Sequence, residues 1–173
     1  MSIFHIGRVN RQPFVNSLFA PAFAGAAQRF FDAEYDQRLR VMRRSVFYFD
    51  DEPVLLEIFQ EMFGDEYDVR TTTKLAEARR MLNECRADII ITDQNMPEIN
   101  GSAFLREVAA TCPHSFRIML TGTVSAGDMF AEVAAGLIDI FIPKPWQEEQ
   151  MRQILERASA VFKFRHDPTS DNS

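Results

Sequence analysis

From Ser45 onward, five short apolar runs alternate with segments in which apolar residues recur every three or four positions. The run at residues 89–92 has no polar alternation, which is typical of a strand buried on both faces of a parallel sheet, whereas the run at 67–71 is a weaker strand pattern. The segments between the runs are typical of amphipathic helices. Because right-handed crossovers leave few other arrangements, this order predicts a doubly wound α/β domain with a five-stranded parallel sheet. The predicted strands are residues 46–49, 67–71, 89–92, 116–120 and 138–142.

The helices between these strands are bounded by residues that begin or end helices. Pro53 suits the first turn of a helix, whereas Gly64 and Gly136 favour helix ends. The predicted helices are residues 53–62, 75–85, 129–134 and 147–164, with a further helix after Gly101. The chain therefore divides into an N-terminal arm and helix at residues 1–44, an α/β domain at 45–165 and a polar, disordered tail at 166–173.

Polar residues follow four of the five predicted strands. Asp50 and Asp51 come directly after the first strand, Asp93 after the third, Thr121 after the fourth and Lys144 shortly after the fifth. Because ligands bind at the carboxyl ends of the strands in open α/β sheets, we expect these side chains to lie on one edge of the sheet. Crowded carboxylates repel one another unless a cation neutralises them, and Mg²⁺ prefers oxygen ligands. The pattern therefore predicts a magnesium site.

Four separated motifs occur in order at these strand ends. They are the Asp50-Asp51 pair, the run Asp93-Gln94-Asn95-Met96-Pro97-Glu98-Ile99-Asn100-Gly101, the Leu120-Thr121-Gly122 corner and the Pro143-Lys144-Pro145 turn. Together they closely resemble the receiver domain of bacterial two-component response regulators, over about residues 45–165. The resemblance implies a flavodoxin-like fold and a phosphoryl group accepted on Asp93 from a histidine kinase, a phosphotransfer protein or acetyl phosphate. It also implies a stoichiometric phosphoacceptor rather than a turnover enzyme.

The resemblance further implies the roles of individual residues at the site. Asp93 would be the nucleophile. Asp51, Asp93 and the backbone carbonyl of Asn95 would hold Mg²⁺, with Asp50 acting partly through bound water. Lys144 would pair with Asp93 at rest and with a phosphoryl oxygen after transfer.

A conformational switch is implied by the same resemblance. Thr121 would offer its hydroxyl to the phosphoryl group and move inward, and the vacated space would let Phe141, three residues before Lys144, turn toward the core. The family often has tyrosine at the position of Phe141, so coupling at this site would depend on packing alone.

Each of these residues also has a plainer interpretation. Asp50 and Asp51 suit the cap of the following helix, Thr121 suits an ordinary turn, and Phe141 suits the core. Lys144 in its Pro-Lys-Pro turn would then be an exposed side chain. The convergence of all four motifs on one edge favours a functional site.

The first 44 residues differ from the rest in charge and pattern. They carry seven arginines and three acidic residues, whereas residues 45–173 carry 12 basic and 22 acidic residues. This acidic balance argues against direct nucleic-acid binding by the main domain. Residues 22–42 predict an amphipathic helix whose apolar face packs on its own domain, on a second copy in a homodimer, or on another partner. Its apolar face is formed by Phe23, Ala27, Phe30, Phe31, Tyr35, Leu39 and Met42.

The remaining features point to the cytoplasm. No apolar run approaches the roughly 20 residues that a membrane-spanning helix needs. The apolar stretch at residues 14–27 is interrupted by Asn16, Ser17 and Pro21, so we do not expect an export signal. Cys85 and Cys112 lie on different predicted helices and are expected to be reduced thiols.

The sequence thus favours a magnesium-dependent, phosphorylation-controlled switch that binds a downstream protein. One alternative is a receiver-shaped scaffold or dimerisation module that is not phosphorylated. Another is the receiver part of a longer regulator whose output domain is absent from this chain. After residue 165 we find no candidate helix-turn-helix for DNA binding.

Overall fold

The computed structural model describes residues 43–84, 86–122 and 131–166. The strands are β1 Ser45–Phe49, β2 Asp68–Thr72, β3 Ile89–Asp93, β4 Phe116–Thr121 and β5 Ile140–Pro143. The helices are α1 Pro53–Phe63, α2 Leu75–Glu84, α3 Gly101–Thr111, the helical residues 131–134 (α4) and α5 Glu148–His166. The predicted N-terminal helix at 22–42, Cys85, the predicted helix start at Met129 and the tail from residue 167 lie outside the described residues.

All five strands are parallel and follow the order β2-β1-β3-β4-β5, which confirms the predicted doubly wound sheet. Each strand except the edge strands therefore has a hydrogen-bonded neighbour on both sides. Every residue of β3 is buried, as expected for the central strand of a sheet that is covered on both faces. No helix in the described parts of the chain combines the length and apolarity that crossing a membrane requires.

The fifth strand begins at Ile140, two residues later than predicted. The backbone N–H of Arg117 donates to the side chain of Asp139 at 2.8 Å, and the N–H of Asp139 donates to the Arg117 carbonyl at 2.9 Å. A carboxylate thus replaces the backbone acceptor that a strand residue would supply at this point. Ile138 lies outside the strand, but its side chain is nevertheless buried in the core.

Two apolar clusters cover the faces of the sheet. Residues of α1 and α5 pack on one face with Tyr48 and Ile91, and residues of α2 and α3 pack on the other face with Phe49 and Ile90. Successive residues of a strand point to opposite faces, so the alternation through β1 divides its aromatic side chains between the clusters. The sheet is therefore fixed from both sides, and its strand ends form a stiff edge.

The register aligns the carboxyl ends of the strands. Phe49 pairs with Thr92, Asp93 pairs with Leu120, and Thr121 pairs with Pro143. The residues that follow β1, β3, β4 and β5 consequently meet at one edge, as the strand order predicts.

Candidate functional site

Asp93 is the last residue of β3 and lies at the centre of this edge. It is only 5% exposed. Its Oδ1 lies 2.7 Å from Lys144 Nζ, and its Oδ2 accepts a hydrogen bond from the backbone N–H of Asn95 at 2.6 Å. Two different donors therefore fix the orientation of the carboxylate.

The loop after Asp93 is held by short-range hydrogen bonds. Gly101 donates its backbone N–H to the Gln94 carbonyl at 3.0 Å, and Asn100 caps α3 by accepting from the N–H of Ser102 at 2.9 Å. A Cβ at Gly101 would lie 2.3 Å from the Asp93 carbonyl oxygen. The first residue of α3 must therefore be glycine for the helix to approach the end of β3 this closely.

Asp50 is fully buried at the end of β1 and accepts three hydrogen bonds. Its Oδ1 accepts from the backbone N–H of Glu52 at 3.0 Å, and its Oδ2 accepts from Tyr48 Oη at 2.8 Å and Lys144 Nζ at 2.9 Å. Burial, with a further contribution from Asp50, raises the pKa of Tyr48, which therefore remains a neutral donor. Asp50 thus lies beside Lys144 at the strand end, and the N-cap residue of α1 is Glu52 rather than Asp50 or Asp51.

Sequence reasoning missed Tyr48, although a signal for it was present. Tyr48 is a residue with a polar tip inside an otherwise apolar strand, and it precedes Asp50 by two positions. Residues two apart on a strand point to the same face, so a hydrogen bond between these side chains was predictable.

Lys144 joins the carboxylates of the site. Besides Asp50 and Asp93, its ammonium lies 3.5 Å from Glu52 Oε1, a contact that the sequence did not indicate. Its backbone N–H donates to the Thr121 carbonyl at 2.8 Å, which anchors the turn after β5. Burial lowers the pKa of Lys144, but hydrogen bonds to Asp93 and Asp50 outweigh this effect and raise it overall. Lys144 is therefore a charged residue that forms ion pairs with several carboxylates, and it is not the exposed side chain of the plainer interpretation.

Thr121 ends β4 beside Asp93 and carries an unsatisfied hydroxyl. The residue is buried, and its Oγ1 has no hydrogen-bond partner within the described part of the chain. A buried hydroxyl without a partner costs free energy, so such groups call for an explanation. A ligand oxygen at the cluster of Asp50, Asp93, Thr121 and Lys144, called the pocket below, would supply the missing partner.

The other predicted site residues differ in burial. Asp51 and Asn95 are exposed, although the backbone N–H of Asn95 contacts Asp93. Phe141 is partly buried against the cluster that α2 and α3 cover. Within the described ranges, no three acidic, histidine or cysteine side chains are arranged to hold a metal ion. The cation that joins Asp50 and Asp93 in this structure is the ammonium group of Lys144.

A groove of about 450 Å³ lies beside Lys144. Its walls come from α1 and from the turn before α5, and its apolar lining includes Leu55, Ile58, Met62 and Trp146. Ile58 is 37% exposed and Val54, on the same helix, is 61% exposed. An apolar surface therefore adjoins the charged pocket.

The chain is similar in sequence to parts of longer known proteins. Hydrogenase transcriptional regulatory protein HoxA of Cupriavidus necator is 30% identical over 114 residues, which are 66% of this chain and 24% of that protein. A protein-glutamate methylesterase/protein-glutamine glutaminase of Bradyrhizobium diazoefficiens is 34% identical over 101 residues, which are 56% of this chain and 27% of that protein. The chain thus spans about a quarter of the length of these relatives.

Solved structures and the family model extend the comparison. Chemotaxis protein CheY4 of Vibrio cholerae has a TM-score of 0.62 at 26% identity, and the match covers 67% of this chain and 98% of that one. The sequence model of the response regulator receiver domain matches residues 46–156. The chain therefore belongs to the receiver domain family of response regulators.

Proposed function

We propose that Asp93 accepts a phosphoryl group and that the resulting charge switches the binding of a partner. The observation that carries this proposal is the combination at one edge of the sheet of an oriented carboxylate, an ammonium at 2.7 Å and a buried hydroxyl that has no partner among the described residues. Phosphoryl transfer depends mainly on positioning and charge stabilisation, and these three groups supply both. An oxygen of Asp93 attacks phosphorus, and the donor leaves with the electrons of the broken bond.

Lys144 and Thr121 have distinct roles in this proposal. Lys144 Nζ exchanges its contact with Asp93 for one with a phosphoryl oxygen, since its flexible stem allows the ammonium to move. Thr121 donates its free hydroxyl to another phosphoryl oxygen. The inward movement of Thr121 leaves space near Phe141, whose partial burial gives it room to turn further into the core.

The donors at this edge fit Mg²⁺ by their chemistry. Asp50, Asp51, Asp93 and the Asn95 carbonyl all offer hard oxygen atoms, which this ion prefers. The bound ion would neutralise charge on the pocket and on the phosphoryl oxygens. The protein's part is to hold Asp93 oriented through the Asn95 N–H and to move Lys144 away from the carboxylates that the ion needs.

The phosphodonor is a histidine kinase or a phosphotransfer protein, and acetyl phosphate serves as a small donor. A protein donor must bring its phosphorylated side chain to Asp93, and the apolar groove beside Lys144 offers a contact surface next to that point. The net charge of −6 does not suit direct nucleic-acid binding, so we expect the downstream target to be a protein. We also propose a cytoplasmic location, which suits Cys85 and Cys112 as reduced thiols.

The decisive experiment is uptake of a phosphoryl group by the full chain. The protein is incubated with acetyl phosphate and Mg²⁺, and intact mass is followed with and without EDTA. We expect a gain of one phosphoryl group that requires Mg²⁺ and maps to the peptide containing Asp93. A chain whose mass does not change under any of these conditions would instead support the non-phosphorylated scaffold.

The N-terminal segment is proposed to form a homodimer. Its sequence carries an aromatic stripe and an excess of arginine, which suit contact with another acidic domain. Deletion of residues 1–42 is expected to convert a dimer to a monomer while phosphoryl uptake is retained. Arg43 and Arg44 are kept because they contact Gly64 and Asp88 of the domain. An identical sizing profile for both proteins would contradict the dimer.

A longer regulator is the second candidate for the whole protein. The relatives are about four times as long as the matched segment, and their names include transcriptional regulators and a methylesterase. In that case the receiver would control an output domain, and any catalytic activity would reside there.

A further inference from the structure

Asp50 is held by two kinds of donor that differ in their freedom to move. Lys144 has a flexible side chain that is shared among Asp50, Asp93 and Glu52, so it can exchange one partner for another. Tyr48 Oη lies on a ring that is fixed in the core. Both donate to the same oxygen, Asp50 Oδ2, at 2.9 and 2.8 Å.

The ring of Tyr48 is immobilised by its surroundings. The residue is 0% exposed in the middle of the sheet, where it pairs with Thr71 on one side and Ile91 on the other. Its ring packs edge to face against Phe59, with 5.1 Å between the ring centroids. Because the ring is held in place, its hydroxyl oxygen stays within hydrogen-bond distance of Asp50.

We propose that Tyr48 is a positioning residue for the phosphoryl-acceptor site. Its hydroxyl keeps the Asp50 carboxylate oriented when Lys144 leaves it for a phosphoryl oxygen or when a metal ion enters the pocket. The backbone N–H of Glu52 holds the other carboxylate oxygen, so the two donors together define one orientation. This inference rests on the proposed function, because it is in that cycle that Lys144 moves.

A purely structural role for Tyr48 makes a different prediction. If the ring only fills the core, removal of the hydroxyl leaves metal binding unchanged and affects stability alone. If the hydroxyl positions Asp50, its removal weakens metal binding even though packing is preserved. Outer hydrogen-bond partners of metal ligands contribute about 10-fold or more to metal affinity in other proteins.

The test uses Mn²⁺ as a probe of the oxygen-ligand site, with free ion measured by electron paramagnetic resonance and Mg²⁺ as competitor. The full chain, Tyr48→Phe and Tyr67→Phe are compared. Tyr67 belongs to the same apolar cluster but lies before β2, at the opposite end of the sheet, so its variant controls for the loss of a hydroxyl from a buried tyrosine. We expect roughly 10-fold weaker binding for Tyr48→Phe and unchanged binding for Tyr67→Phe.

The outcomes separate this inference from the function on which it rests. Equal affinity in all three proteins overturns the role of Tyr48 and leaves the proposed function intact. An unmodified chain that binds neither ion overturns both. If Tyr48→Phe does not fold, the Tyr48 hydroxyl proton is followed by NMR in the unmodified protein. The proposal requires that proton to stay protected after beryllofluoride is added, and its loss would overturn it.

Discussion

Replacing Asp93 by asparagine is expected to abolish phosphoryl uptake from acetyl phosphate. Asparagine keeps an oxygen that can accept from the N–H of Asn95, so the loop after β3 retains its anchor. The amide, however, is a poor nucleophile and carries no negative charge to pair with Lys144. Intact mass after incubation with acetyl phosphate and Mg²⁺ measures the effect, with the unmodified chain as reference.

Glu98→Gln provides a matched control for this variant. It removes one negative charge from the exposed loop that follows Asp93, but Glu98 takes no part in the pocket. We expect Glu98→Gln to be phosphorylated like the unmodified chain. Continued uptake by Asp93→Asn, at a rate near that of the control, would mean that another side chain accepts the group.

The fold was predictable because its signals are local and repeated. The alternation of apolar runs and amphipathic segments gives five strands and their crossovers, and crossover handedness then limits the topology. The errors occur at element ends. The side chain of Asp139 accepts the hydrogen bond that a backbone carbonyl would accept in a longer strand, and β5 is therefore shorter than predicted. Residue propensities carry no information about such a side-chain hydrogen bond.

The partners of the site residues were less predictable than the residues themselves. Position after a strand identifies Asp50, Asp93, Thr121 and Lys144, because parallel strands bring their carboxyl ends together. Glu52 follows β1 and Lys144 follows β5, and their contact depends on the conformations of both side chains. A pattern of strands does not describe those conformations. Hydrogen-bond satisfaction is also a property of the packed site, so the free hydroxyl of Thr121 emerges only from the structure.

The ammonium group of Lys144 lies within hydrogen-bond distance of both Asp50 and Asp93 and so supplies a positive charge to the crowded carboxylates. Crowded carboxylates need a cation to neutralise them, and the ammonium meets that need from within the chain. A metal ion and Lys144 are therefore competitors for the same oxygen atoms. This competition predicts how the stability of the domain responds when the ammonium is removed.

The Lys144→Met variant is expected to lose about 3 kcal/mol of unfolding free energy in magnesium-free buffer. Asp50 and Asp93 are 0% and 5% exposed, and removal of their shared cation leaves two buried carboxylates facing one another. Breaking a buried ion pair in this way typically costs roughly 3–5 kcal/mol, because the remaining charges are buried without a counter-charge. Methionine keeps most of the length of the side chain, so lost packing adds little. Urea unfolding measures the difference.

Magnesium should restore more stability to this variant than to the unmodified chain, since no ammonium then competes for the carboxylates. Binding to the folded state stabilises it in proportion to the logarithm of ligand concentration over Kd, so the recovery is measured across a magnesium series. Lys163→Met, at an exposed position of α5, is expected to unfold within about 0.5 kcal/mol of the unmodified chain. If Lys144→Met matches that control in EDTA, the buried charges are solvated or neutralised by other means, and the ammonium does not hold the pocket together.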